Sequence, residues 1–136
     1  MAGAKTRCNN NWTEAKFRSF VKGNLRRATM KWAPIQTVKG KARTRRGFYL
    51  CAECGQEVPA TTKEGRKRVK NVHVDHIHPV VDPAVGWEGW DVMIERLFCE
   101  EEGLRVLCAA CHKDVTDEEK EIAKERRRKE KELGQL

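Results

Sequence analysis

Two cysteine pairs constrain this chain more than any other feature. Cys51-Ala-Glu-Cys54 and Cys108-Ala-Ala-Cys111 each set two thiols around two intervening residues. That spacing lets one tight turn aim both sulfurs at a single ion, and two such turns complete a tetrahedral site of four sulfurs, the preferred environment of structural zinc. Cys51, Cys54, Cys108 and Cys111 are therefore expected to share one Zn2+. The fold must bring residue 51 beside residue 108 and house the 53 residues between the knuckles, more than a compact zinc ribbon needs. A redox-active C-x-x-C or buried free thiols would leave the second pair unexplained. Cys8 and Cys99 fall outside the pattern, with Cys99 expected in the core and Cys8 as a loose thiol.

Composition shows why a staple is needed. Of 136 residues, 39% are hydrophobic and 35% are charged, a thin supply for a core. No apolar run reaches membrane-spanning length, and MAGAKTRCNNNW lacks the apolar stretch of a secretory signal. The expectation is a protein of the reducing cytoplasm with no membrane partner, where cysteine pairs bind metal more often than they form disulfides.

The formal charge of +8 is unevenly spread. Residues 1–70 hold 18 Lys/Arg against 4 Asp/Glu, a net of +14, and residues 71–136 hold 10 against 16, a net of −6. The basic half suits a polyanion, nucleic acid before acidic lipid. Runs at Lys31, Lys39, Lys41, Arg43, Arg45 and Arg46, and at Arg66, Lys67 and Arg68, suit phosphate contacts, joined by Arg26 and Arg27 on the polar face of the first helix. Such contacts give affinity and position without sequence information.

Local patterns place the elements. Asn11 with Glu14 reads as a capping box, and apolar spacing from Phe17 to Trp32 predicts a helix over about 12–32 that Pro34 ends. A second short basic helix is expected over 36–46 and an exposed basic loop or hairpin over 60–70. Val72–Ile77 and Leu104–Leu107 alternate as strands, and Trp90, Met93, Ile94, Leu97 and Phe98 mark a short helix between them. Thr116 with Glu119 reads as a capping box opening a charged helix to Gly134, projecting beyond Ile122 and Ala123, with Glu125 and Lys129 as an i,i+4 pair. Trp12 and Trp32 are read as core, and Trp87 and Trp90 as packing under the loop between the strands.

Between the knuckles lies Asp75-His76-Ile77-His78-Pro79, and Leu107-Cys108-Ala109-Ala110-Cys111-His112 follows. In these segments the chain resembles the HNH, or ββα-metal, endonucleases, whose signature is Asp-His-Ile-x-Pro, then a strand, then Leu-Cys-x-x-Cys-His opening a helix. Tyr49–Thr116 is similar to small phage-type members, including Trp90-Asp91 and Glu95–Cys99. The resemblance implies an α+β fold: a ββα-metal unit stapled by the four-cysteine zinc site, with a basic, mainly helical arm at 1–48, a nuclease core at 49–116 and a charged helix at 117–136. It implies that Asp75 and His112 bind a catalytic divalent metal, Mg2+, Mn2+ or another. His76 would be the general base. The substrate would be DNA, cut to 5′-phosphate and 3′-hydroxyl ends. A phage-encoded homing or packaging role, with packaging proteins as partners in the host cytoplasm, follows from the same resemblance.

Two positions depart from the family, one of them Val115, where the family often has Lys before the Thr that is Thr116 here. The Asn usual five residues before Cys108, which helps position the base histidine, is Gly103 here. Glu101, Glu102 and His73 are the candidates to take its place. The alternative function is a zinc-dependent nucleic-acid-binding module whose active site has decayed.

Overall fold

The computed structural model describes residues 3–134, and the chain forms two compact units, Met1–Trp32 and Ala33–Leu136. It is a mixed α/β chain with four helices and small antiparallel sheets.

In the first unit β1 (Lys5–Arg7) pairs antiparallel with β2 (Trp12–Thr13), and α1 (Glu14–Ala28) follows, closed by a 3-10 turn at Thr29–Lys31. Thr13, not Asn11, caps α1. Its hydroxyl accepts the Lys16 N–H at 3.2 Å, and Glu14 in the first turn accepts from Arg7 Nε at 2.8 Å. Asn11 is spent elsewhere, its amide donating to the Cys8 carbonyl at 3.0 Å. The expected helix over 12–32 is thus shorter at both ends. No α1 residue is fully buried. Phe20 meets Trp12 edge to face at 5.2 Å.

The second unit opens with α2 (Ala33–Ala42). Pro34 starts this helix rather than stopping the previous one, because a first-turn residue needs no N–H partner. The helix expected over 36–46 gives way at Arg43. Residues Arg43–Arg45 form β3, which joins β4 (Phe48–Leu50) and β5 (Glu57–Pro59) in a three-stranded sheet. Residues 60–70 make a hairpin of β6 (Thr61–Glu64) and β7 (Lys67–Lys70).

The centre of this unit is β8 (Val72–His76) against β9 (Leu104–Cys108), antiparallel, with Val72 opposite Cys108 and Asp75 opposite Arg105. Between them α3 (Trp90–Leu97) buries Met93 and Leu97, four residues apart on one face. Trp87 and Trp90 pack edge to face at 4.8 Å. Directly after β9, α4 (Ala109–Gly134) runs without a break. Thr116 is therefore inside a helix rather than capping one. The helix is sustained by charged pairs such as Lys113–Asp117 at 2.6 Å and Arg128–Glu132 at 2.6 Å. Glu125 pairs with Arg128 three residues on, at 2.5 Å, not with Lys129. Nor does α4 leave the body after Ala123, since the Arg126 guanidinium packs against Gly86.

Among the described residues the buried apolar set is small: Cys51, Val72, Met93, Leu97, Leu104, Val106, Leu107 and Cys108. Cys51, Leu107 and Cys108 form one cluster, with Val58, Cys111 and Val115 packed on it. The core and the cysteine knuckles are the same place. Cys99, expected in the core, is half-buried, and Cys8 is exposed. Among the described residues, no helix is long and apolar enough to cross a membrane.

Candidate functional site

The knuckles converge. The ligand atoms of Cys51, Cys54, Cys108 and Cys111 all lie within 4.8 Å of one another, compatible with the roughly 3.8 Å edge of a tetrahedron built on Zn–S bonds of about 2.3 Å. Main-chain bonds aim them: Cys51 Sγ accepts the Cys108 N–H at 3.3 Å, and the Ala52 N–H reaches the Val106 carbonyl at 2.8 Å. Burial alone would raise the Cys51 thiol, but the N–H groups of Cys54, Cys108 and Glu53 outweigh it and bring it down to about 6. Cys111 is the opposite case. Its hydrogen bond with Cys108, burial, and its contacts with Cys51 and Cys54 push it up to about 12. Four thiols this close cannot all ionise together without a cation, and a bound metal removes that conflict. The four cysteines can hold a metal such as zinc.

A second cluster lies on the other side of the helix start. Strand alternation puts His73 and Asp75 on one face of β8. His112, next to Cys111 in the first turn of α4, stacks on His73 with ring centroids 4.5 Å apart and planes 18° from parallel. Consecutive helical residues diverge by about 100°, so Cys111 serves the thiol cluster while His112 serves this one. Asp75 Oδ2 accepts from Arg105 Nε at 3.2 Å, and the same guanidinium reaches Glu53 Oε2 at 3.4 Å, inside the first knuckle. Glu119, seven residues beyond His112 and so on the same helix face, is raised by burial and by Asp75, against the opposing pull of His112 and Arg105. Burial, then His112 and Lys70, lower His73. Asp75, His112, His73, Arg105 and Glu119 thus form one electrostatic neighbourhood. Sequence reading missed Arg105 and Glu119. The seven-residue spacing could have revealed Glu119 had α4 been read as one helix, but nothing in the sequence sets the register that pairs Arg105 with Asp75.

His76 points to the other face of β8. Its Nε2 is 2.9 Å from the Leu97 carbonyl at the end of α3. An oxygen acceptor there requires Nε2 to carry the proton, which leaves Nδ1 as an acceptor in the neutral ring. Among the described residues, no hydrogen bond joins His76 to Asp75 or His112. His78 is exposed. The segment after His76 is fixed by the Ile77 N–H donating to the Gly103 carbonyl at 2.9 Å. A Cβ on Gly103 would stand 2.9 Å from Cys99 Sγ, so the space for a side chain is already taken. Of the residues considered as replacements for Asn, Glu101 is ion-paired with Lys41 at 2.7 Å and His73 is on the opposite face.

The basic residues differ in commitment. Arg45 lies over the Phe48 ring and donates to Glu57 at 2.9 Å, and Lys41 is taken by Glu101. Arg27 bonds Asn24, and Arg68 bonds Thr61 Oγ1 at 3.0 Å. Lys39 lies over the Tyr49 ring. Arg26, Lys31, Arg43, Arg46, Arg66 and Lys67 are exposed, with no ion pair among the described residues. No known protein family matches the chain, and no curated protein or solved structure matches it either.

Proposed function

We propose that this chain is a zinc-stapled, metal-dependent DNA endonuclease of HNH type. One observation carries the reading. Two consecutive residues in the first turn of α4 serve two sites, Cys111 the thiol cluster and His112 the face of β8 that bears Asp75. Two antiparallel strands followed by a helix, with an acid on the first strand and an imidazole at the helix start, is the arrangement an HNH site requires.

Asp75 and His112 would hold the divalent cation, an oxygen–nitrogen donor pair suited to Mn2+ or Mg2+. That cation supplies positive charge for the scissile phosphate and the departing oxygen. The Arg105 bond takes Asp75 Oδ2 and leaves Oδ1 outside it. His76, the general base the resemblance implies, stands on the other face of β8 from Asp75 and His112, so the reading requires it to reach the attacking water around the end of that strand. With Nε2–H held on the Leu97 carbonyl, Nδ1 accepts the proton as the water oxygen bonds to phosphorus. The bond from phosphorus to the 3′-oxygen breaks, leaving a 5′-phosphate and a 3′-hydroxyl. A neutral imidazole suits this task because its ordinary pKa lies near operating pH.

The test is plasmid cleavage with Mg2+ or Mn2+ added. Cleavage is expected in the parent and, at about 10²–10⁴-fold lower rate, in His76→Ala, with zinc content and DNA affinity retained. Asp75→Ala and His112→Ala also fail, but through the metal, so excess Mn2+ partly restores them and not His76→Ala. A His76→Ala protein that cuts like the parent would remove the general base from this account. A second reading, a nucleic-acid-binding module with a decayed site, is favoured by the Arg105 guanidinium on Asp75 and by Gly103. A parent that binds DNA and cuts none under any metal selects it.

A further inference from the structure

The β6–β7 hairpin divides its charges by face. In register, Lys63 stands opposite Arg68 and Thr61 opposite Lys70, while Thr62 faces Val69 and Glu64 faces Lys67. Alternation therefore collects Thr61, Lys63, Arg68 and Lys70 on one side, and Thr62, Glu64, Lys67 and Val69 on the other. The first set is exposed throughout. In the second, Thr62 and Val69 are half-buried, which marks it as the side turned to the body. The Arg68 to Thr61 bond joins two members of the exposed face. The two-residue loop Gly65–Arg66 closes the ribbon, with Gly65 at φ +64°, the left-handed first position that a type II′ hairpin turn requires.

The outer face thus carries three cations and no carboxylate, and two of the cations are directly opposed across the strands. Like charges in that position destabilise a hairpin, and here the acid of the ribbon sits on the other face, opposite Lys67. A polyanion laid on the face relieves the repulsion.

We propose that the outer face of this hairpin, Lys63, Arg68 and Lys70, is a docking surface for the phosphodiester backbone of duplex nucleic acid. The inference rests on the nucleic-acid reading above and extends it to one surface. A two-stranded ribbon fits the major groove of a duplex. Residues 61–70 contain no aromatic side chain on which the bases of a single strand would stack, and the outer face offers no apolar group to enter a membrane. Lys67, expected from the sequence to touch phosphate, leans the other way.

The experiment is equilibrium binding of the full chain to a labelled random-sequence duplex across a salt series, without added divalent cation. The triple variant Lys63→Gln, Arg68→Gln, Lys70→Gln should flatten the log–log salt slope by about 0.9 for each phosphate no longer neutralised, so by about 2–3 in all. The charge-keeping variant Lys63→Arg, Arg68→Lys, Lys70→Arg should keep the parent slope. An unchanged slope in the first variant, or an equal loss in the second, overturns the proposal. So does tighter binding to single strands, or to phosphatidylserine vesicles, than to duplex. The nuclease reading fails separately. A protein that binds through the hairpin and never cuts sinks the enzyme alone, and one that cuts with an unaltered slope in the first variant sinks the hairpin alone.

Discussion

Replacing Gly103 by Asn, the residue the HNH pattern has there, is expected to damage this protein rather than repair it. The reason is Cys99. A Cβ built on Gly103 lies 2.9 Å from Cys99 Sγ and 3.3 Å from Cys99 Cβ. The first distance is a collision. The second is an approach that a small adjustment relieves. Moving the backbone of residue 103 is not free, because its N–H bonds the Glu100 carbonyl at 3.0 Å and its carbonyl holds the Ile77 N–H at 2.9 Å, next to His76. Overpacking of this kind costs about 1–3 kcal/mol. Removing a glycine from the unfolded chain returns about 0.4–1 kcal/mol. The net is a loss of up to about 2–3 kcal/mol. In a Cys99→Ala background the sulfur is gone, and Gly103→Asn should keep only the gain of about 0.4–1 kcal/mol from the unfolded chain. The coupling between the two sites is therefore the overpacking cost itself, about 1–3 kcal/mol, inside the range for residues in contact. Denaturant unfolding of the four proteins of the cycle, in zinc-saturated buffer, measures it. Additive effects, within about 0.5 kcal/mol, would falsify the packing argument, since the two substitutions would then not share a space.

Two further outcomes follow from the same unit. Cys54→Ser or Cys108→Ser should release zinc and unfold the Ala33–Leu136 unit: structural zinc contributes about 10–16 kcal/mol in small domains, while whole domains are stable by only about 5–15 kcal/mol. Zinc content and a melting curve check this, and a variant that keeps both unchanged ends the shared-site assignment. His73 is lowered from 6.5 by burial, His112 and Lys70. Below about pH 6.5 the unfolded chain therefore takes up the proton more readily than the folded one, and stability falls as the pH drops. His73→Gln should lose less stability than the parent between neutral pH and the acid side of that range. Equal acid sensitivity in the two proteins would show that His73 is not its source.

What the sequence made legible was whatever depends on short-range spacing. The two C-x-x-C turns, the strands around Asp75 and Val106 and the helix from Trp90 are set by patterns a few residues long, and the structure has them where the spacing puts them. Caps and helix ends were read less well. Asn11 and Thr116 both sit three residues before a glutamate, yet Thr13 caps α1 because it is the residue next to Glu14. Thr116 caps nothing because helix had already begun at Ala109. A capping-box pattern records a competence, and the competing start seven residues upstream decided the outcome. The same misreading hid Glu119, which shares a face with His112 only if the helix is continuous. Arg105 was hidden for another reason: strand register is a long-range property, set here by Ala52, Asn71 and Cys51, whose bonds hold the middle of β9 and its C-terminal end.

Arg105 also bears on how the thiol cluster relates to the neighbourhood of Asp75. Its guanidinium spans Asp75 on β8 and Glu53 between the first two cysteines. Asp75 is the more buried partner, with 15% of its side chain exposed against 58% for Glu53. Even a partly buried carboxylate is costly without a cation, so Arg105 secures Asp75 when nothing else does. On the nuclease reading a divalent ion at Asp75 and His112 competes with Arg105 for that carboxylate. Glu53 then gives the guanidinium a second anion within reach, on a turn held rigid by the thiol cluster. The exchange would replace a partly buried ion pair by a metal–carboxylate contact and a more solvent-facing ion pair, without leaving a charge uncompensated. An exposed salt bridge is weak by itself, so Glu53 matters less as a contributor to stability than as the place where Arg105 can go.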